Sequence, residues 1–224
     1  TLPGTHTVTL NVTDSEGMWD TESQTITVGL LVPPVAAFTF APESPLIQET
    51  ITFNATESKP NGGIIVNYTW NFDDGNITTV SEPIITHVYE SAGTYTVTLK
   101  VIDSEEEWDT ESKNVTVKAV PAASFSFSPT TPVVNDIVTF NATASSDSDG
   151  TIVSYEWDFG DENITTVTEP TITHAYKASG NYTVTLTVTD NDGLTDTETK
   201  SITVKETPPN IIMYLAVAIV IIIV

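Results

Sequence analysis

The sequence predicts an all-β chain of tandem two-sheet sandwiches followed by a C-terminal transmembrane helix. Three observations predict it. Apolar and polar residues alternate with period two in one short segment after another. The pattern recurs at a fixed interval, and the last fourteen residues carry no charge. Thr, Val, Ile, Tyr, Phe and Trp, which suit a pleated and half-buried surface, dominate the composition.

The interval is 87 residues, without a gap. Ala36 falls on Ala123, Phe40 on Phe127, Trp70 on Trp157, His87 on His174, Tyr89 on Tyr176, Gly93 on Gly180 and Asp103 on Asp190. A third copy is partial: Gly4-Thr-His-Thr-Val-Thr-Leu matches the segment from Gly93 at an offset of 89, and Trp19-Asp-Thr-Glu-Ser matches the segment from Trp108. This predicts the C-terminal part of a domain over 1–29, whose lone hairpin needs strands from preceding sequence. A linker over 30–35, a domain over 36–118, a linker over 119–122 and a domain over 123–205 follow.

Each full copy reads as seven strands, here in the first copy's numbers. Ala37–Ala41 puts Phe38 and Phe40 on one face, and Thr50–Thr56 puts Ile51, Phe53 and Ala55 inward. Ile64–Phe72 does the same with Val66, Tyr68, Trp70 and Phe72. Short strands over Ile77–Val80 and Ile84–Val88 follow. Thr94–Ile102 alternates most cleanly, with Tyr95, Val97, Leu99 and Val101 inward, and Ser112–Lys118 closes with Val115 and Val117. Such spacing indicates two facing antiparallel sheets. Asn61-Gly62-Gly63 and Asp149-Gly150 before the third strand predict tight turns at positive φ.

The residues resemble the polycystic kidney disease (PKD) domain family, an immunoglobulin-like sandwich. The resemblance rests on Trp157-Asp-Phe-Gly-Asp161, His174-Ala-Tyr176 and Gly180-Asn-Tyr-Thr-Val-Thr-Leu-Thr-Val-Thr-Asp190. Their counterparts are Trp70-Asn-Phe-Asp-Asp-Gly75, His87-Val-Tyr89 and the run from Gly93 to Asp103. It covers nearly everything before residue 206. It implies modules that serve as spacers, adhesion units or substrate-binding appendages of archaeal and bacterial surface proteins, and fold alone names none of these roles.

Pro208-Pro209 lies in a juxtamembrane linker over 206–210, and Ile211–Val224 is uncharged. As a helix the latter spans about 21 Å, short of the roughly 30 Å hydrocarbon core, so it is expected to be part of a membrane helix that continues beyond Val224. A lipid membrane is thus a predicted partner, with the repeats on the extracellular side of the cell surface. Asn11, Asn54, Asn67, Asn76, Asn114, Asn141, Asn163 and Asn181 each open an Asn-x-Thr triplet with no intervening Pro, the acceptor pattern for N-linked glycans. Strand register puts Asn11, Asn54, Asn67, Asn114, Asn141 and Asn181 on outward faces.

Hard cations need several oxygen ligands brought together by turns. Asp147, Asp149, Asp158 and Asp161 flank the third strand of the second full copy, and the resemblance implies calcium near them. The first copy departs, with Pro60, Gly62 and Asn71 replacing three of the four. Trp70, Trp157, Tyr95 and Tyr182 are expected in the core. His87 and His174 are expected in structural hydrogen bonds, because each full copy has one His and a ligand cluster needs more. Trp19 and Trp108, replaced by Thr195 in the last copy, are placed near a turn, capping a sandwich end or meeting a neighbour.

The chain has seven Lys, no Arg and thirty acidic residues, for a net charge of −23, which excludes a nucleic-acid partner. It has no Cys, hence no disulfide or thiolate site. Neither a nucleophile elbow nor a phosphate-cradling loop is present, so no catalysis is predicted. Three functional readings follow. One is a glycosylated, membrane-anchored stalk or surface-layer component of an archaeal-type cell envelope, touching neighbouring surface subunits or upstream domains. Another is an adhesion or polysaccharide-binding module. The third is the tether of a surface protease or other extracellular enzyme lying upstream.

Overall fold

A computed structural model describes residues 2–208. The first elements are a hairpin, β1 (Gly4–Thr13) and β2 (Trp19–Val28). The first sandwich holds β3 (Thr39–Ala41), β4 (Ile51–Asn54), β5 (Ile65–Asn71), β6 (Ile77–Val80), β7 (Ile84–His87), β8 (Gly93–Asp103) and β9 (Trp108–Val117). The second repeats it with β10 (Ser126–Ser128), β11 (Val138–Asn141), β12 (Ile152–Asp158), β13 (Ile164–Val167), β14 (Thr171–His174), β15 (Gly180–Asp190) and β16 (Thr195–Val204). The chain divides into two compact units, the second made of Ser91–Gly93 and the residues from Lys118 onward.

Each sandwich has a three-stranded sheet, β3-β4-β7 or β10-β11-β14, and a four-stranded sheet, β6-β5-β8-β9 or β13-β12-β15-β16. The registered pairs are antiparallel: Phe53 faces Phe40 and Ile85, and Trp70 faces Leu99. The alternation decides what lies between the sheets. Ile51, Phe53, Trp70, Val97, Leu99, Val101, Val115 and Val117 are fully buried, as are Val138, Phe140, Trp157, Val184, Leu186 and Val188. Trp70 meets Phe38 edge-on with ring centres 5.2 Å apart, and Trp157 meets Phe125 at the same distance. Burial of each such side chain contributes about 1.5–3 kcal/mol.

Four local expectations are corrected. The first strand begins at Thr39, because Ala36 and Phe38 direct their N–H groups to side chains instead of a neighbouring strand. The last strand begins at Trp108 and not at Ser112, so Trp108 opens the strand directly after the turn. A register shift between Ile65 and Asn67 brings Ile65 against the core in place of Val66. Positive φ belongs to Gly75 and Gly160, at 92° and 76°, and not to Gly62, Gly63 or Gly150. Gly150 answers a different demand, since a Cβ there would collide with the Asn191 and Asp147 side chains.

Among the described residues no helix is long and apolar enough to cross a membrane. The predicted membrane segment, Ile211–Val224, lies outside them.

Candidate functional site

The Trp-Asp-Phe turn and the His-x-Tyr strand meet at one end of each sandwich. In the first, His87 Nε2 and Asp74 Oδ2 are 2.7 Å apart, and the imidazole stacks on Phe72 at 4.0 Å and edge-on to Tyr89 at 4.6 Å. Tyr89 donates its hydroxyl to the Phe72 carbonyl at 3.0 Å and stacks on Tyr95. The second repeats this with His174–Asp161 at 2.8 Å, Phe159, Tyr176 and Tyr182. Burial pushes the Tyr89 and Tyr176 phenols well above the ordinary value, and the nearby Asp74 and Asp161 carboxylates add to it. Burial also raises Asp74, but the Asn76 N–H and His87 outweigh it and hold this carboxyl below the usual aspartate range. The two turns share a positive φ at one position but fill it differently: Asp73, at φ 64°, accepts the Thr96 N–H, whereas Gly160, at φ 76°, closes directly on Thr183. These groups clamp a turn to a strand.

The four acids predicted around a cation do not come together. Asp147 and Asp149 precede β12, whereas Asp158 ends it and Asp161 lies in the turn beyond, so the seven-residue strand separates two pairs by about 20 Å. Asp149 accepts the Ala119 N–H at 3.1 Å, Asp158 the Gly160 N–H at 2.8 Å, and Asp161 is engaged by His174. Partial burial raises the Asp147 carboxyl above the ordinary aspartate value, and the Asp149 and Asp190 carboxylates contribute. Asp190, beside this pair and 2% exposed, was not anticipated. Lys118 pairs with Asp192 at 2.7 Å, which raises its ammonium above the ordinary lysine value. Among the described residues no group of three or more His, Cys, Asp or Glu is placed to hold a metal ion.

The eight Asn-x-Thr asparagines all reach the surface: Asn11, Asn67, Asn76, Asn114, Asn163 and Asn181 are exposed, and Asn54 and Asn141 half-buried. Six use Oδ1 as an acceptor. Asn54 and Asn141 take the Thr56 and Thr143 N–H groups, Asn76 and Asn163 the Thr78 and Thr165 hydroxyls, and Asn114 and Asn181 the Thr96 and Thr203 hydroxyls. These bonds do not use Nδ2, the atom a glycan joins.

A further set went unread in the sequence. Asp109 Oδ2 and Glu111 Oε2 accept the Ala36 and Phe38 N–H groups at 2.9 and 2.7 Å, and Lys113 donates to the Phe38 carbonyl. Asp196, Glu198 and Lys200 do the same for Ala123 and Phe125. Charged side chains on the inward parity of β9 and β16 thereby replace a missing strand partner. The signal was available: Asp-Thr-Glu stands on the same parity as Val115 and Val117, where charge is otherwise costly.

Comparison with known proteins places these features in context. Collagenase ColA of Bacillus cereus is 35% identical over 127 residues, which make up 50% of this chain and 13% of that protein. A microbial collagenase of Vibrio alginolyticus is 45% identical over 71 residues, 32% of this chain and 8% of that protein. The chain thus spans a small fraction of the relatives it matches. The solved PKD1 domain of the Vibrio cholerae metalloprotease PrtV is 44% identical, covering 38% of this chain and 98% of that domain, with a TM-score of 0.33. The family description "PKD domain" matches residues 31–119 and again residues 118–205. The chain therefore belongs to the PKD domain family, whose modules are non-catalytic.

Proposed function

We propose that this chain is a non-catalytic extracellular tether, a run of PKD sandwiches that spaces a catalytic or binding domain of the same protein from its anchorage. One observation carries the reading: the collagenases it resembles share only a small segment with it, so this segment is an appended part of much larger enzymes. The internal use of the His, Asp and Tyr groups fits, because they brace turns and leave no cleft chemistry.

The envelope-stalk reading, in which the chain belongs to an archaeal-type surface layer, is the weaker of the two. Collagenases and a metalloprotease are prominent among the relatives. Replacing residues 36–205 of the complete protein by two unrelated sandwiches of equal length tests the proposal. A tether predicts unchanged activity and surface retention. Loss of substrate or surface binding would identify a recognition module, and loss of a regular surface array would restore the stalk.

Four narrower proposals accompany it. The partial copy over 1–29 is the end of a further PKD sandwich, and the segment 211–224 anchors the chain in a membrane with the repeats outside. The eight Asn-x-Thr sites carry N-linked glycans, which intact mass would reveal. Calcium is held at the Asp147–Asp149 turn and not by all four acids. Chelation then lowers the melting temperature of the second unit and spares the first, whose Pro60 and Gly62 offer no such pair; equal responses would refute this.

A further inference from the structure

Trp108 is 56% exposed and Trp19 is 73% exposed, although both sit in regular strands. Neither is needed for the fold, since Thr195 fills the same position in the second unit. Trp108 lies on the outer face of its sheet, and Trp19 takes the matching position in the hairpin. In the first unit, hydroxyl contacts of Thr98 with Ser112 and of Thr94 with Thr116 set the register of β8 against β9, and this register brings Ile102 opposite Trp108. Ile102 is in turn opposite Asn67 on β5. Asn67 and Trp108 thus flank Ile102 on one face, about 10 Å apart across two strand spacings.

The hairpin shows the same association by a different route. Trp19 is opposite Thr13, and Asn11 lies two residues before Thr13 on the same face. In the first unit the position of Asn11 belongs to Lys100, and the Lys100 ammonium reaches within 4.5 Å of the centre of the Trp108 ring. A group extending from this strand position therefore reaches the aromatic ring. In the second unit the acceptor asparagines and the tryptophan disappear together: Ser154 stands for Asn67, Thr187 for Asn11 and Thr195 for Trp108.

We propose that Trp108 and Trp19 are shelves on which the N-linked glycans of Asn67 and Asn11 lie. The C–H face of a pyranose ring is apolar and weakly positive, and the face of an indole ring is apolar and negative, so the two attract while shedding water. The glycan covers the exposed ring and ties β5 to β9 across the sheet. This proposal rests on the glycosylation reading above.

The test uses the chain produced in a host that performs N-glycosylation. Glycopeptide mass first reports occupancy at Asn67, and hydroxyl-radical oxidation then reports exposure of Trp108. Asn67→Gln is expected to raise Trp108 oxidation several-fold, whereas Asn114→Gln, on the same sheet face but toward the other end of β9, leaves it unchanged. Asn67→Gln is also expected to lower the melting temperature of the first unit by about 4 °C. That decrease vanishes in the Trp108→Thr background. An unmodified Asn67 would overturn the glycosylation reading at this site and the shelf with it. An occupied Asn67 with unaltered Trp108 oxidation would overturn the shelf alone.

Discussion

The hairpin β1–β2 and the strands β8–β9 have closely matching sequences and opposite surroundings. Val8, Leu10 and Val12 are 54%, 61% and 54% exposed, whereas Val97, Leu99 and Val101, at the matching positions, are fully buried. Within each pair the register is regular, and Thr9 touches Ser23 across the hairpin much as Thr98 touches Ser112. Strand pairing is therefore a local property of these sequences. Burial comes from elsewhere: β4 and β7 supply Ile51, Phe53 and Ile85, and the segment before β3 supplies Phe38. Asp20 and Glu22 likewise match Asp109 and Glu111, which hold the Ala36 and Phe38 N–H groups. The comparison teaches that a PKD repeat is divisible into a hairpin that pairs by itself and a facing sheet that makes it a core.

The most direct way to break the contrast is to supply the missing face. Grafting a copy of residues 36–92 ahead of Gly4 is expected to bury Val8, Leu10 and Val12. Their amides then gain about three orders of magnitude or more of hydrogen-exchange protection, in keeping with a marginally stable domain; unchanged exchange would show that the hairpin is not a sandwich fragment. A sharper but smaller contrast is Leu99→Ala against Leu10→Ala. In the 224-residue chain the former is expected to cost the first unit about 2–5 kcal/mol in chemical denaturation, and the latter under about 0.5 kcal/mol.

Glu111→Ala leaves the Phe38 N–H without its acceptor and is expected to cost about 1–3 kcal/mol, against a negligible change for Glu22→Ala. Equal costs would mean that the side-chain ladder does not hold the first segment.

The smallest expected effects are in pH dependence, and the two units should differ in sign. Asp74 is held below the ordinary aspartate value, so its contribution is in place above that value and is lost as pH falls through the lowered one. Asp147 is raised, so its contribution is complete below the ordinary value and is lost as pH rises through the raised one. Acid melts read by hydrogen exchange should therefore weaken the first unit in a way that Asp74→Asn removes. Asp147→Asn should make the second unit slightly more stable at neutral pH. Like signs in the two units would contradict both assignments.

Much of the candidate site was legible in the residues themselves. His87 and His174 were expected in structural hydrogen bonds, and they make them with Asp74 and Asp161. The acidic residues were harder to read. Asp147, Asp149, Asp158 and Asp161 look close in the sequence, yet an extended strand carries the chain forward about 3.3 Å per residue and sets the pairs apart. Conversely, Asp109 and Ala36 look unrelated at a separation of 73 residues and are hydrogen-bonded.

The sequence alone determined the alternating strands, their recurrence at 87 residues and the membership of the PKD family, because each is written in the order of neighbouring side chains. The tertiary structure alone decided which alternating face is dry, which charged side chains stand in for a strand, and which acids share a turn. The physical reason is range. A strand's two faces follow from consecutive residues, but desolvation and hydrogen bonding depend on what a distant part of the chain brings opposite them. Leu10 and Leu99 stand in matching strand contexts and differ in that respect.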